Sequence, residues 1–256
     1  IIRDLYDREQ AASMIGLVTS VVVLMPMAAP LIGGILDTLL GWESIFVFTA
    51  LLAFGVLVWA MTALPETRRR GGLAGDVTGF RADVAALARS RQFFGYALCA
   101  ALGSGPFFSF VGGAPHVVIS ILGRTSAEYG LWFFAPAFGF MAGNFVVSRL
   151  TTRLGIDRLI WWGIGLTIVG CLITIATYQV LPGWEMAAIF LPQIIVGFGN
   201  GLLLPTSIAG AVSVRPQVAG TASGCTGFIQ MSIGAAAAQL GGYLAARATD
   251  ALPLLV

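Results

Sequence analysis

Long apolar runs alternate with short polar gaps along this chain. Seven runs, at residues 14–36, 44–64, 93–122, 129–150, 159–178, 186–212 and 218–246, each reach the roughly 20 residues that a helix needs to cross about 30 Å of hydrocarbon. Strands of a membrane barrel are only about 10 residues long and alternate in polarity, which these runs do not. The pattern predicts an all-α polytopic membrane protein with seven complete transmembrane helices. The opening IIRDLYDREQ reads as a loop leaving an earlier helix, and the closing ALPLLV reads as the start of another span. The chain is therefore expected to be part of a longer one.

The gaps carry a directional signal. All 14 basic residues are Arg. Twelve lie before the first run or in every second gap: Arg3, Arg8, Arg68, Arg69, Arg70, Arg81, Arg89, Arg91, Arg149, Arg153, Arg158 and Arg215. Only Arg124 and Arg247 fall in the opposite set. Short Arg-rich loops stay on the cytoplasmic side, so the asymmetry orients the chain with its first residues in the cytoplasm. The longest gap, residues 65–92, carries RRR and a Gly-rich tract and reads as a cytoplasmic linker between two bundles. Its Phe80, Val84 and Leu87 are spaced for a short helix lying on the membrane surface, although a solvated charged loop fits the same residues.

Composition narrows the chemistry. The chain is 57% hydrophobic and 10% charged, against about 25% charged in a soluble domain. A net charge of +2 split between loops on two sides gives no reason to expect a nucleic-acid partner. Cys99, Cys171 and Cys225 each stand alone in an apolar run, which suits buried structural thiols and not metal or redox pairs. All 12 acidic residues fall in loops or near helix ends, so the intramembrane carboxylate expected of a proton or cation carrier is absent from this part. The same distribution, with a single His, argues against a membrane enzyme built on paired acids or a metal cluster. No catalytic residue, metal site or cofactor is expected.

Several polar or bent positions remain inside the runs. His116 follows GGAP in a run bent by Pro106 and Pro115; it suits either a proton relay or a hydrogen-bonded, lumen-facing side chain. Gln193, Gly197 and Asn200 form one stripe at helical spacing, and Ser223, Gly227, Gln230 and Gly234 form another. Both stripes should face the bundle interior, as helix packing or as cavity wall. Pro26 and Pro30 bend the first run, and its Met25 and Met27 offer soft apolar contacts.

Five stretches then carry a family resemblance. They are IIRDLYD with its Arg3–Asp4 pair; AAPLIGG, Ala28 to Gly34; LPET, Leu64 to Thr67; GGAPHVVI; and GFGNGLLLPTSIAGAVSVRPQVAGTASGCTGFIQM, Gly197 to Met231. In this order they resemble the Bcr/CflA-type drug-resistance transporters, in the drug:proton antiporter branch of the major facilitator superfamily. The second is similar to that branch's GPxxGG antiporter motif, with Ala29 replacing the Gly before Pro30 and with Gly33 and Gly34 in place. His116 departs from the family, which more often has an apolar or aromatic residue there.

The resemblance implies helices five to eleven of twelve, and a partial major facilitator fold. Residues 1–64 would end the N-terminal six-helix bundle, 65–92 would be the linker, and 93–256 would form most of the C-terminal bundle. It further implies proton-coupled efflux of drug-like amphipathic molecules by alternating access, from a multi-pass protein of the bacterial inner membrane. Export of one native metabolite is the alternative, and a non-transporting receptor or enzyme a more distant one. The implied partners are a small-molecule substrate, protons and the bilayer, with a monomer as the complete protein. The coupling acid and Arg of related antiporters lie in helices outside this chain, so it is not expected to transport alone.

Within that frame, the expected substrate cavity takes Met25, Phe107, Phe110, Asn200, Phe228 and Gln230, mostly apolar walls with a few amides. The face of residues 14–36 is expected to close the cavity by packing on Gly139, Ala142 and Gly143. Arg149, Arg153, Asp157 and Arg158, with Arg3 and Asp4, form loops suited to a cytoplasmic gate or to simple anchoring.

Overall fold

The computed structural model describes residues 29–63, 77–180 and 184–247. Met25, Met27, Arg3 and Asp4 lie outside them. Among the described residues there is no strand, and the chain runs as ten helices: α1 Ala29–Leu40, α2 Glu43–Ala63, α3 Val77–Ala88, α4 Arg91–Pro115, α5 Ser126–Trp132, α6 Phe134–Leu154, α7 Ile156–Val180, α8 Glu185–Phe190, α9 Gln193–Ser213 and α10 Ala219–Arg247. Five stretches among them are long and apolar enough to cross a bilayer: Glu43–Ala63, Arg91–Ile121, Ser126–Thr151, Ile156–Val180 and Glu185–Ser213. α10 matches them in length at 29 residues, but its many Gly, Ala, Ser and Thr dilute its apolarity. The protein is an all-α, polytopic membrane protein.

Proline decides where the runs break. Pro115 has no N–H to give its helix, and α4 widens after it into a π-helical turn, His116–Ile121, in which Leu122 N–H reaches back to the Val117 carbonyl at 2.9 Å. Two further breaks were not expected. The run at 129–150 divides at Phe133, three residues before Pro136, and the run at 186–212 divides at Leu191–Pro192. Each Pro lacks the N–H that would carry the ladder across, and each sits in or before the first turn of the next helix, where that loss is tolerated.

The described chain forms two compact units. The first holds α1, α2 and residues 125–131. A Cβ at Gly34 would run into the backbone of Ser126, and one at Gly130 would meet the backbone of Pro30 and Leu31. Ser126 Oγ donates to the Asp37 carboxylate beside this contact. Gly41, at φ +84°, turns the chain from α1 to α2, and Ser44 Oγ closes that turn on the Gly41 carbonyl at 2.6 Å. α2 buries none of its 21 residues against protein. Its Phe46, Leu51, Phe54 and Trp59 are all exposed, as lipid-facing side chains are.

The second unit is organised around α9, which buries 12 of its 21 residues. Glycine permits this. Gly139 and Gly143 of α6 lie against the Ile194 and Phe198 carbonyls, and Gly197 and Gly201 of α9 lie against those of Pro136 and Phe140. On α7, Gly163 meets Gly199 and Gly170 meets Val196. Backbones this close gain dispersion that side chains would prevent, the means by which helices associate where lipid removes the hydrophobic drive. Gly139 and Gly143 face α9, and residues 14–28, expected to close on them, lie outside the described residues.

The linker also departs from expectation. α3 forms where Val84 and Leu87 pointed to a helix, but it does not simply lie on the membrane. Leu87 is 1% exposed and inserts into a cluster with Phe93, Ala97, Ala211 and Ala222, which fixes α3 to α4, α9 and α10. The Phe80 side chain lies outside the described ones.

Candidate functional site

The second unit carries an open cavity of about 510 Å³ where α4, α7, α9 and α10 meet, with exposed Ile168, Leu172 and Leu240 at its mouth. Its wall combines Pro106 and Phe110 with Thr167, Cys171 and Thr174, and Gln193 opens α9 onto it. The threonines are already bonded: Thr167 Oγ1 donates to the Gly163 carbonyl at 2.9 Å and Thr174 Oγ1 to that of Gly170 at 2.8 Å. Their methyl groups are left as wall, and Gln193 is the amide at its edge. Phe110 is held edge-on to Phe190, centroids 5.4 Å apart, and Phe190 in turn tilts onto Trp132 at 6.1 Å. A largely apolar volume with one amide suits an amphipathic guest.

A second concavity, about 620 Å³, lies at the arginine-rich end. It is walled by α3, the first turn of α4 and the first turns of α10, and Phe228 stands at it 74% exposed.

The expected cavity residues therefore separate. Phe110 lines the first cavity and Phe228 the second. Phe107 is half-buried, in edge contact with Phe108 at 5.7 Å and Phe133 at 6.2 Å, and Gln230 is half-buried; neither lines these two cavities. Asn200 is 3% exposed and sealed inside the unit, its Oδ1 and Nδ2 both without a partner, as is Ser207 Oγ. The stripe Gln193, Gly197 and Asn200 does face the interior, whereas of the stripe Ser223, Gly227, Gln230 and Gly234 only Gly234 is buried, against Phe108, and Ser223 is exposed. The three cysteines are free and half-buried, short of the full burial expected.

Of the motif in α1, Gly34 is a packing glycine, while Gly33 has open space around its Cα, Pro30 is half-buried and Ala29 exposed. His116 is exposed in the π-helical turn. Arg149 lies over the Phe145 ring at 5.2 Å, and Arg153 and Arg158 are exposed. Asp157, in the first turn of α7, accepts a hydrogen bond from Tyr96 Oη at 2.8 Å, and the Tyr96 ring covers Gly210. That bond joins α4, α7 and α9 at the arginine-rich end. Tyr96 carried no signal in sequence, because its partner is 61 residues away. Thr167, Cys171 and Thr174 did carry one, as a stripe at i, i+4 and i+7 of a single run.

Residues 1–238 match the family model of the Major Facilitator Superfamily. The chain belongs to this superfamily. It is 25% identical over 244 residues to a bicyclomycin resistance protein homolog of Haemophilus influenzae, covering 92% of this chain and 59% of the relative. It is 28% identical over 238 residues to the multidrug transporter MdfA of Edwardsiella piscicida, covering 91% and 56%. It is 27% identical over 232 residues to multidrug resistance protein D of Escherichia coli, covering 89% and 56%. The chain thus spans less than three-fifths of the length of these relatives. The helices form part of the superfamily's fold, and the relatives' names point to transport, not catalysis.

Proposed function

We propose that the protein to which these helices belong exports drug-like amphipathic molecules across the bacterial inner membrane in exchange for protons. The observation that carries this reading is the agreement of relatives named for drug resistance along about nine-tenths of the chain. The cavity supports it: an apolar wall with Gln193 at its edge binds by shape and dispersion, which tolerates varied guests. In this reading residues 1–64 end one bundle, 65–92 link, and 93–256 belong to a second. Phe107, Phe110 and Gln230 belong to the substrate path, with Phe228 on the separate cytoplasmic groove, and Arg149, Arg153, Asp157 and Arg158 belong to the cytoplasmic gate. Asn200 acts from within the packed bundle, and the complete protein works as a monomer.

The test is proton release from vesicles holding the complete protein under an imposed pH gradient, with a panel of lipophilic cations and antibiotics. Release by several unrelated compounds is expected. Release by one metabolite alone would replace multidrug efflux with specific export, and release by none from folded protein would refute coupled efflux.

A further inference from the structure

The groove at the arginine-rich end has features that substrate export does not require. Its floor is apolar: Val84 and Leu87 of α3, Phe93 and Phe94 of α4, and Cys225 and Ile229 of α10. Its volume, about 620 Å³, lies within the range of about 300–1,000 Å³ typical of small-molecule sites. Glycines keep it open, since a Cβ at Gly220 or Gly224 would meet nothing within 4 Å.

Three arginines stand close in sequence to its lining residues. Arg81, Arg89 and Arg91 are all exposed. On α3, Arg81 stands three and seven residues before Val84 and Ala88, both of which line the groove, so the three share one helical face. Asp83, four residues before Leu87, flanks the same floor from its other side and is half-buried, whereas Arg81 is exposed. Arg91 stands one turn before Phe94, and Arg89 follows Ala88 directly. An apolar slot flanked in sequence by three exposed arginines complements a molecule with an acyl chain and an anionic phosphate head. A lipophilic cation would meet repulsion from the same arginines.

We propose that this groove binds an anionic phospholipid of the cytoplasmic leaflet, its acyl chain between α3, α4 and α10 and its phosphate on Arg81, Arg89 and Arg91. The lipid completes the wall that Leu87 begins, and it holds α3 on the bundle. Planar guanidinium groups suit a phosphate, and basic residues just cytoplasmic of a span attract anionic lipid.

The experiment is native mass spectrometry of the purified protein taken from vesicles of mixed phosphatidylglycerol and phosphatidylcholine. Phosphatidylglycerol is expected to be retained preferentially, with the preference falling about fivefold for each of Arg81→Gln and Arg91→Gln. Gly224→Leu, at a position where a Cβ meets nothing within 4 Å, should abolish retention of either lipid. Gly165→Leu, at an open glycine of α7 outside the groove, should leave it unchanged. Equal retention of the two lipids, or retention unaffected by Gly224→Leu, overturns the proposal.

Cys225 supplies a second readout that does not depend on those variants. With Cys99 and Cys171 replaced by Ser, its labelling by a membrane-permeant maleimide should be slowed by phosphatidylglycerol and not by phosphatidylcholine. A Cys225 already closed in lipid-free protein assigns the groove to a protein segment, and protection by a lipophilic cation assigns it to substrate entry. Either result overturns lipid binding, and neither bears on proton-coupled efflux.

Discussion

Asn200 is the residue whose position asks most of the fold. Its amide and the Ser207 hydroxyl are buried without partners, whereas Ser104, Thr167, Thr174, Thr206 and Thr226 each bond a carbonyl of their own helix. An orphaned buried polar group costs about 1–3 kcal/mol, so Asn200→Leu should stabilise the packing described here. Thermal unfolding in detergent is expected to rise by about 2–4 °C per kcal/mol gained. A fall would show that the amide has a partner in the native ensemble. Tyr96→Phe makes the converse case: it removes one partly exposed hydrogen bond to Asp157, worth about 0.5–1.5 kcal/mol or less. Asp157→Asn keeps an acceptor and should cost less than Tyr96→Phe, which the same melting curves would reveal. The polar stripe of Asn200 was legible in sequence, because a run otherwise apolar makes an amide conspicuous. Its lack of a partner was not, because that depends on what the neighbouring helices leave beside it.

Among the elements, α9 depends on glycines that sequence treats alike and packing does not. Gly197 and Gly201 have no room for a Cβ, whereas Gly165 on α7 has nothing within 4 Å. Gly197→Leu should force α6 from α9 and cost about 1–3 kcal/mol or more, while Gly165→Ala should be neutral or stabilise by about 0.5–1 kcal/mol through helix propensity. Comparable losses at both positions, read as the fraction surviving mild heating, would contradict the packing. The linker shows the same division. The spacing of Val84 and Leu87 announced a helix, and only the cluster of Phe93, Ala97, Ala211 and Ala222 turned Leu87 inward. Likewise the bend at Pro115 followed from composition, while the breaks at Phe133 and Leu191 were hidden inside runs whose hydropathy is continuous.

For the whole molecule, orientation yields the plainest prediction. With native cysteines removed, Arg153→Cys should react with an impermeant thiol reagent from the cytoplasmic side alone, and Glu128→Cys from the opposite side alone. Labelling of both from one side would break the arginine-based topology. That topology is a reading of sequence alone, because it rests on bulk partitioning: apolar length must cross the bilayer and Arg must stay out of it. The all-helical character and the superfamily followed from the same one-dimensional information, whereas the splits at Phe133 and Leu191 did not. Which glycine touches which carbonyl, which amide is sealed, and which two cavities divide Phe110 from Phe228 were decided only in the tertiary structure. In lipid most faces of these helices are apolar, so apart from a few polar stripes hydropathy cannot say which face meets protein, and close packing between backbones makes that choice.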